Sequence, residues 1–325
     1  MRVNTTCGWL LGGVLVFSPL VADAQQQLSI ATGGTGGVYY PLGGGLAEMI
    51  NRHIDGASAV AEVTGASVEN VALIHRGDSD IAIALGDSVY QGYTGTGQFD
   101  GRQAESLRTL LAAYPNAVQI VVPANSDIQS IDDLRGKRVS VGAPGSGTEL
   151  NARAILEGNG MSYADLASAQ RLNFNETADA LRDGDIDVGI WSVGPPTSSI
   201  MNLAATRNIR LLGLDEEEMA KAREQEPIFV EYTLPSGIYD GVTEEVTTVG
   251  IPNIWIVSSE MDEELAYQLT KMMLENIDEL IAIHPSAETT TAEFTVSASP
   301  VPMHPGAVRY FEEIGIEVPE HLIED

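Results

Sequence analysis

Two glycine-rich stretches carry the strongest chemical signal in this sequence, Thr32-Gly33-Gly34-Thr35-Gly36-Gly37 and Ala143-Pro144-Gly145-Ser146-Gly147-Thr148. Each follows a short apolar run with strand character and precedes a stretch with helical apolar spacing. Where a chain turns from strand into helix, the first N–H groups of the helix lack carbonyl partners. The helix dipole adds positive potential there, so the junction favours an anion. A single loop of this kind is usually only geometry, because glycine is the default residue wherever φ is positive. Two of them at matching positions predict an anion held in a cleft.

Competing chemistries fit less well. The stretch 142–148 has Gly, four residues and Gly, but Glu149 follows Thr148 and no lysine is present, so a nucleotide phosphate would lack its usual partner. The first loop misses the dinucleotide spacing, with Tyr39 where the third glycine is required. Ser146 has neither the flanks of an esterase elbow nor a histidine nearby in sequence, which leaves a secreted hydrolase with Ser146 as nucleophile as the alternative reading. His53, His75, His284, His304 and His321 show no metal-ligand spacing, and His284-Pro285 and His304-Pro305 read as helix ends. Asp183, Asp185 and Asp187 lack the glycine position and distal glutamate of a calcium loop. No metal and no cofactor is expected. Tyr39 and Tyr40 point about 100° apart on a helix, which puts one in the core and lets the other face the cleft. Trp191 ends an apolar run beside Gly194-Pro195-Pro196 and is equally placed for cleft or core.

The elements that must position these residues alternate. Strands are expected at 28–31, 59–63, 80–85, 108–113, 117–122, 139–142, 186–191, 209–212 and 249–257. Helices are expected at 39–53, 68–75, 147–157, 175–182 and 215–225, with one long amphipathic helix over 261–283 and a Pro-rich tail. Such alternation predicts an α/β protein with a parallel, doubly wound sheet. The repeated strand-then-loop arrangement predicts two lobes: 25–122 in the first, 123–250 in the second, and 251–325 returning to the first. The chain would cross near 122–125, where Pro123-Ala124-Asn125-Ser126 reads as a linker, and again near 248–252.

The 325 residues include 17 Lys and Arg against 46 Asp and Glu, a formal charge of −29. That balance makes nucleic acid and anionic membrane surfaces poor partners, and keeps the chain hydrated and monomeric. The single cysteine, Cys7, excludes a disulfide framework and any multi-cysteine metal site. Arg2, the apolar run 10–20 and Ala22-Asp23-Ala24 read as an export signal over residues 1–24, so a periplasmic location is expected.

Three motifs together, Thr32-Gly33-Gly34-Thr35-Gly36-Gly37-Val38-Tyr39-Tyr40-Pro41, Gly142-Ala143-Pro144-Gly145-Ser146-Gly147-Thr148 and Gly194-Pro195-Pro196-Thr197, strongly resemble the TAXI family of TRAP-transporter solute receptors. The likeness continues through Val121-Val122-Pro123, Leu134-Arg135-Gly136-Lys137-Arg138-Val139 and Thr248-Val249-Gly250-Ile251-Pro252-Asn253 to Val301-Pro302-Met303-His304-Pro305-Gly306-Ala307. The resemblance implies a two-lobed periplasmic-binding-protein-like fold of type II that closes over a small organic acid such as glutamate. It also implies delivery to a membrane partner driven by an ion gradient, without catalysis. Carried over to this chain, the ligand residues would be Gly36, Val38, Tyr39, Asp87, Ser146, Gly147, Thr148, Trp191, Gly194 and Pro195. Where many members read Gln-Ser-Asp after the third strand, this chain reads Leu85-Gly86-Asp87, which favours a less polar or differently shaped carboxylate. Arg76, Arg102, Arg108, Arg153, Arg171 and Arg182 fall away from the loops, so backbone N–H groups and hydroxyls are expected to hold the carboxylate.

Overall fold

A computed structural model describes Met1 and residues 26–323; apart from Met1, the expected export signal at 1–24, with Cys7 in it, lies outside the described residues. The first half of the chain winds β1 (Gln26–Ala31), α1 (Tyr39–His53), β2 (Ala57–Glu62), α2 (Ser67–Arg76), β3 (Ile81–Leu85) and α3 (Gly86–Thr94) before a long strand β4 (Leu107–Pro123). The second winding is β5 (Arg138–Ser140), α4 (Gly147–Gly158), β6 (Ser168–Gln170), α5 (Phe174–Asp183), β7 (Val188–Val193), α6 (Ser198–Ala204), β8 (Ile209–Leu212), α7 (Glu216–Gln225) and β9 (Val230–Leu234). A second long strand, β10 (Val246–Ser258), then leads to α8 (Glu263–Glu275), α9 (Ile277–Ile283), α10 (Ala292–Ala298) and α11 (Pro305–Glu313).

The strands form one curled sheet in the order β2-β1-β3-β10-β4-β7-β5-β6, with β8 also on β4 and β9 on β10. The pairs of β1 with β2 and β3, and of β5 with β6 and β7, are parallel, as the alternation of strands and helices requires. The two long strands run antiparallel to each other and to their neighbours, and they are shared by both halves. The end of β10 from Asn253 pairs with β3, whereas its start, Val246 to Gly250, pairs with β9. One large apolar core runs through both halves, with Leu28, Leu46, Trp255 and Leu269 in the same cluster as Leu181, Trp191 and Leu203. A second core, with Val118, Val139, Ile155 and Leu212, fills the second half.

Two expectations are corrected here. The sequence suggests two strands at 108–113 and 117–122, but β4 continues through Tyr114-Pro115-Asn116. Pro115 faces Pro252 of β10 at a shift in register, so two residues without an N–H share one irregularity in the ladder. The strand stays paired with β10 as far as Ala117, where β7 joins it, and Pro123 sits at the far end of β4, paired with Ile209. The long helix expected over 261–283 is interrupted at Asn276, whose backbone leaves the helical region while its side-chain amide donates to the Met272 carbonyl at 2.9 Å. The break lets α9 turn and press Ile283 against Gly45 of α1, where a β-carbon would collide with it.

Candidate functional site

A small cavity of about 40 Å³ lies between the two halves. From the first half it is lined by Gly33, Gly34, Gly37, Val38, Tyr39, Ala66, Ser67 and Leu85. From the second half and the shared strands come Asn116, Ser146, Gly147, Thr148, Phe174, Ser192 and Val193.

Three helix N-termini converge on it. Helix α1 starts at Tyr39 with no side-chain cap, so its first N–H groups have neither a carbonyl four residues back nor a capping oxygen. Helix α4 starts at Gly147 behind the N-cap Ser146, whose Oγ accepts from Glu149 N at 3.2 Å and donates to the Ala143 carbonyl at 2.7 Å. Helix α2 has no side-chain cap; instead the Gly145 carbonyl of the second loop accepts from Val68 N and Glu69 N, each at 3.1 Å. Its N-cap Ala66 has φ of 77°, the only non-glycine residue at positive φ among the described residues. A residue held in that region by its surroundings is a mark of a constrained site.

Gly147 allows the halves to meet. A β-carbon there would stand 2.5 Å from Leu85 Cδ1 and 2.9 Å from Ser67 Oγ, both on the opposite half. Further contacts tie the halves at the rim: Thr197 Oγ1 donates to the Gly36 carbonyl at 3.1 Å, and Asn151 Nδ2 donates to Asp87 Oδ2. Beneath the cavity a buried polar chain runs through the shared strands. Tyr39 OH donates to Asn253 Oδ1, Asn253 Nδ2 donates to Asn116 Oδ1 at 2.8 Å, and Asn116 Nδ2 donates to the Ser192 carbonyl at 2.8 Å. Burial raises the Tyr39 hydroxyl well above the ordinary tyrosine range, so it is a neutral donor. Ser192 is 4% exposed, and its Oγ has no partner.

Of the residues singled out from the sequence, Val38, Tyr39, Ser146, Gly147 and Thr148 meet at this cavity, and the other five lie outside it. Gly36 sits at the rim against Asn175 and Thr197. Trp191 is fully buried in the core, stacked on Phe174 with its indole N–H donating to Ser199 Oγ at 3.2 Å. The cavity is reached instead by the next two residues at the end of β7, Ser192 and Val193. Gly194 packs on the Tyr114 ring, and the Pro195 carbonyl accepts from Ser286 Oγ at 3.3 Å.

Asp87, 1% exposed, faces a separate groove of about 810 Å³. Burial pushes its carboxyl up to about 6. Burial and the Asp87 charge push Glu226, in the same groove, up to about 7. These carboxylates would repel an anion, so the smaller cavity is the better anion site despite its size. Sequence reasoning missed Ser67, Asn116, Phe174 and Ser192. Only Ser192 carried a signal, its place next to Trp191 near the end of a buried strand.

The candidate arginines are engaged elsewhere. Arg153 and Arg171 both reach Glu149, at 3.7 and 2.6 Å, and both face the Tyr163 ring. Arg76 pairs with Asp78, Arg182 with Asp179 and Asp183, Arg102 donates to the Gln98 carbonyl, and Arg108 to the Glu105 and Leu107 carbonyls. His284 and His304 act as N-caps through Nδ1, accepting from Ser286 N and Gly306 N, each at 3.2 Å. Among the described residues no three of His, Cys, Asp and Glu come together as metal ligands, and no helix is long and apolar enough to cross a membrane.

Solved structures share this architecture at low identity. A protein described as an L-cystine ABC transporter from Listeria monocytogenes is 16% identical, with 81% of this chain and 95% of that chain covered and a TM-score of 0.51. PhnD1 from Prochlorococcus marinus, in complex with methylphosphonate, is 12% identical over 81% of this chain and 90% of that chain, with a TM-score of 0.52. A Bordetella bronchiseptica protein is 16% identical over 92% and 91%, also with a TM-score of 0.52. The α/β fold is the two-lobed one of periplasmic binding proteins. A family model matches residues 30–315, nearly all of the described chain, and the protein belongs to the NMT1-like family.

Proposed function

We propose that the chain is an extracytoplasmic solute receptor that captures a small carboxylate between its lobes. The observation that carries this is the convergence of three helix N-termini, from both halves, on one cavity that no charged side chain lines. Aligned N–H groups and helix dipoles hold an anion without a guanidinium. The similar structures, an L-cystine ABC transporter protein and a methylphosphonate complex, agree with capture of a small solute for transport. The motif resemblance to TAXI receptors supports a TRAP-type membrane partner and a periplasmic location after loss of residues 1–24. The lobes expected at 25–122, 123–250 and 251–325 would swing about the shared strands; with hinge torsions at Pro115 and Pro252, where the ladder is irregular, the first boundary moves from 122 to near Pro115.

The hydrolase alternative loses ground on geometry. The Ser146 hydroxyl already donates to the Ala143 carbonyl and caps α4, and no histidine lines the cavity. Ser146→Ala should weaken ligand binding with no turnover to lose. Calorimetry of the chain from residue 25 onward with a panel of organic acids tests the reading. An acid at 100 times its Kd should add about 2.7 kcal/mol of stability, and silence from every acid would overturn it.

A further inference from the structure

The cavity's lining narrows the class of acid, on the assumption that the site does bind a carboxylate. Ser192 Oγ lines it, is buried, and has no hydrogen-bond partner. A buried hydroxyl without a partner loses the free energy of its hydration, and a ligand that supplies the partner restores it. The Ser192 N–H is already used, donating to Thr148 Oγ1 at 3.3 Å, so the hydroxyl is the part of this residue left for a ligand. The surrounding walls are apolar: Val38, Leu85, Phe174 and Val193.

An amino acid fits this cavity poorly. An α-ammonium carries a full positive charge and needs a carboxylate or several carbonyl oxygens, but no Asp or Glu lines the cavity. The Asn116 side chain, the one carboxamide there, is committed at both ends, to Asn253 and to the Ser192 carbonyl. The positive ends of three helices would repel the ammonium as strongly as they attract the carboxylate. A second carboxylate on the ligand would meet Leu85 and Phe174 and pay desolvation without a donor. Asp87, the nearest acid after β3, faces the other groove, where it is bonded to Asn151 and Ser88.

We infer that the ligand is a short monocarboxylate with an uncharged polar group at C2, a 2-hydroxy or 2-oxo acid with an apolar tail, and that Ser192 Oγ reads the C2 group. The carboxylate lies on the N–H groups at the starts of α1 and α4, and the tail lies against Val38 and Leu85. This extends the proposed function from carboxylates in general to one class, and it separates that class from amino acids and dicarboxylates of the same length.

Calorimetry with matched probes tests it: lactate, pyruvate, propionate and alanine, the five-carbon set 2-hydroxyisovalerate, 2-oxoisovalerate, isovalerate and valine, and glutarate as the diacid. The 2-hydroxy or 2-oxo acid of one set should bind at least tenfold tighter than the amino acid, the unsubstituted acid and glutarate. Ser192→Ala should bring the substituted acid to within about twofold of the unsubstituted one, whose own affinity stays where it was. Valine, alanine or glutarate binding as tightly as the 2-oxo acid overturns the inference alone, as does a Ser192→Ala variant that weakens every acid equally. Failure of every probe overturns both it and the carboxylate reading. Thermal unfolding of the free variant, expected to match the parent, shows that the loss is not one of folding.

Discussion

Gly147→Ala is the sharpest perturbation of closure. The backbone of Gly147 is ordinary at the start of α4, so alanine is compatible with the helix and improves its propensity. The added β-carbon, however, would stand 2.5 Å from Leu85 Cδ1 and 2.9 Å from Ser67 Oγ, about 1 Å inside ordinary contact. Neither neighbour yields readily. Leu85 is 1% exposed, and Ser67 Oγ accepts from Leu85 N at 3.1 Å. Overpacking of this kind costs about 1–3 kcal/mol. Both clashing groups lie on the opposite half, so the cost falls on the closed state and spares the open one. Affinity for the acid should therefore drop roughly five- to hundredfold, while unfolding of the ligand-free chain changes by less than about 0.5 kcal/mol. Calorimetry and thermal unfolding read the two quantities separately. Unchanged affinity would refute the argument, and so would a loss of stability in the free protein equal to the loss in binding.

Thr148→Val removes a hydroxyl lining the cavity and should weaken binding by about 1.5–3 kcal/mol, whereas Arg153→Gln, which alters contacts with Glu149 and Tyr163 outside it, should leave titration curves unchanged. Trp191→Phe should lower the melting temperature, through the lost bond to Ser199 and the smaller ring, and shift affinity little. Stability should also depend on pH in a definite direction. Asp87 and Glu226 are raised to about 6 and about 7, so the folded protein holds these protons more tightly than the unfolded chain does. Their contribution is greatest on the acid side and declines as pH climbs from about 4 through 7, by on the order of 3 kcal/mol for Asp87. Melting curves from pH 5 to 8 should show this decline and Asp87→Asn should flatten it; a rise in stability over that range, or an unaltered slope in the variant, would contradict the assignment.

Much of this was legible in local pattern. The apolar spacing of Leu42, Leu46, Met49 and Ile50 marks α1, and Asp215 ahead of three glutamates marks the capped start of α7. The two glycine loops announce helix starts, because the demand they meet is local. The course of β4 through Pro115 was not legible, since a proline inside a strand is tolerated there only because Pro252 lies opposite it, 137 residues later. The same holds for Asn276, which breaks a helix whose apolar spacing continues past it. At the site, Ser67, Asn116 and Phe174 escaped notice because each is ordinary in its own segment and becomes a cavity wall only when the halves meet. Trp191 drew attention by residue type and Asp87 through the family resemblance, but one packs into the core against Phe174 and Ser199 and the start of α3 carries the other into a different groove.

The central claim, that a carboxylate is gripped by helix N-termini from both lobes, is tested most directly by a crystal structure of the chain grown with the tightest acid of the panel. The account predicts density in the cavity with carboxylate oxygens within about 3 Å of backbone N–H groups at the starts of both α1 and α4, and a C2 substituent at Ser192 Oγ. Density for the acid in the Asp87 groove, or a carboxylate paired with an arginine, would contradict it.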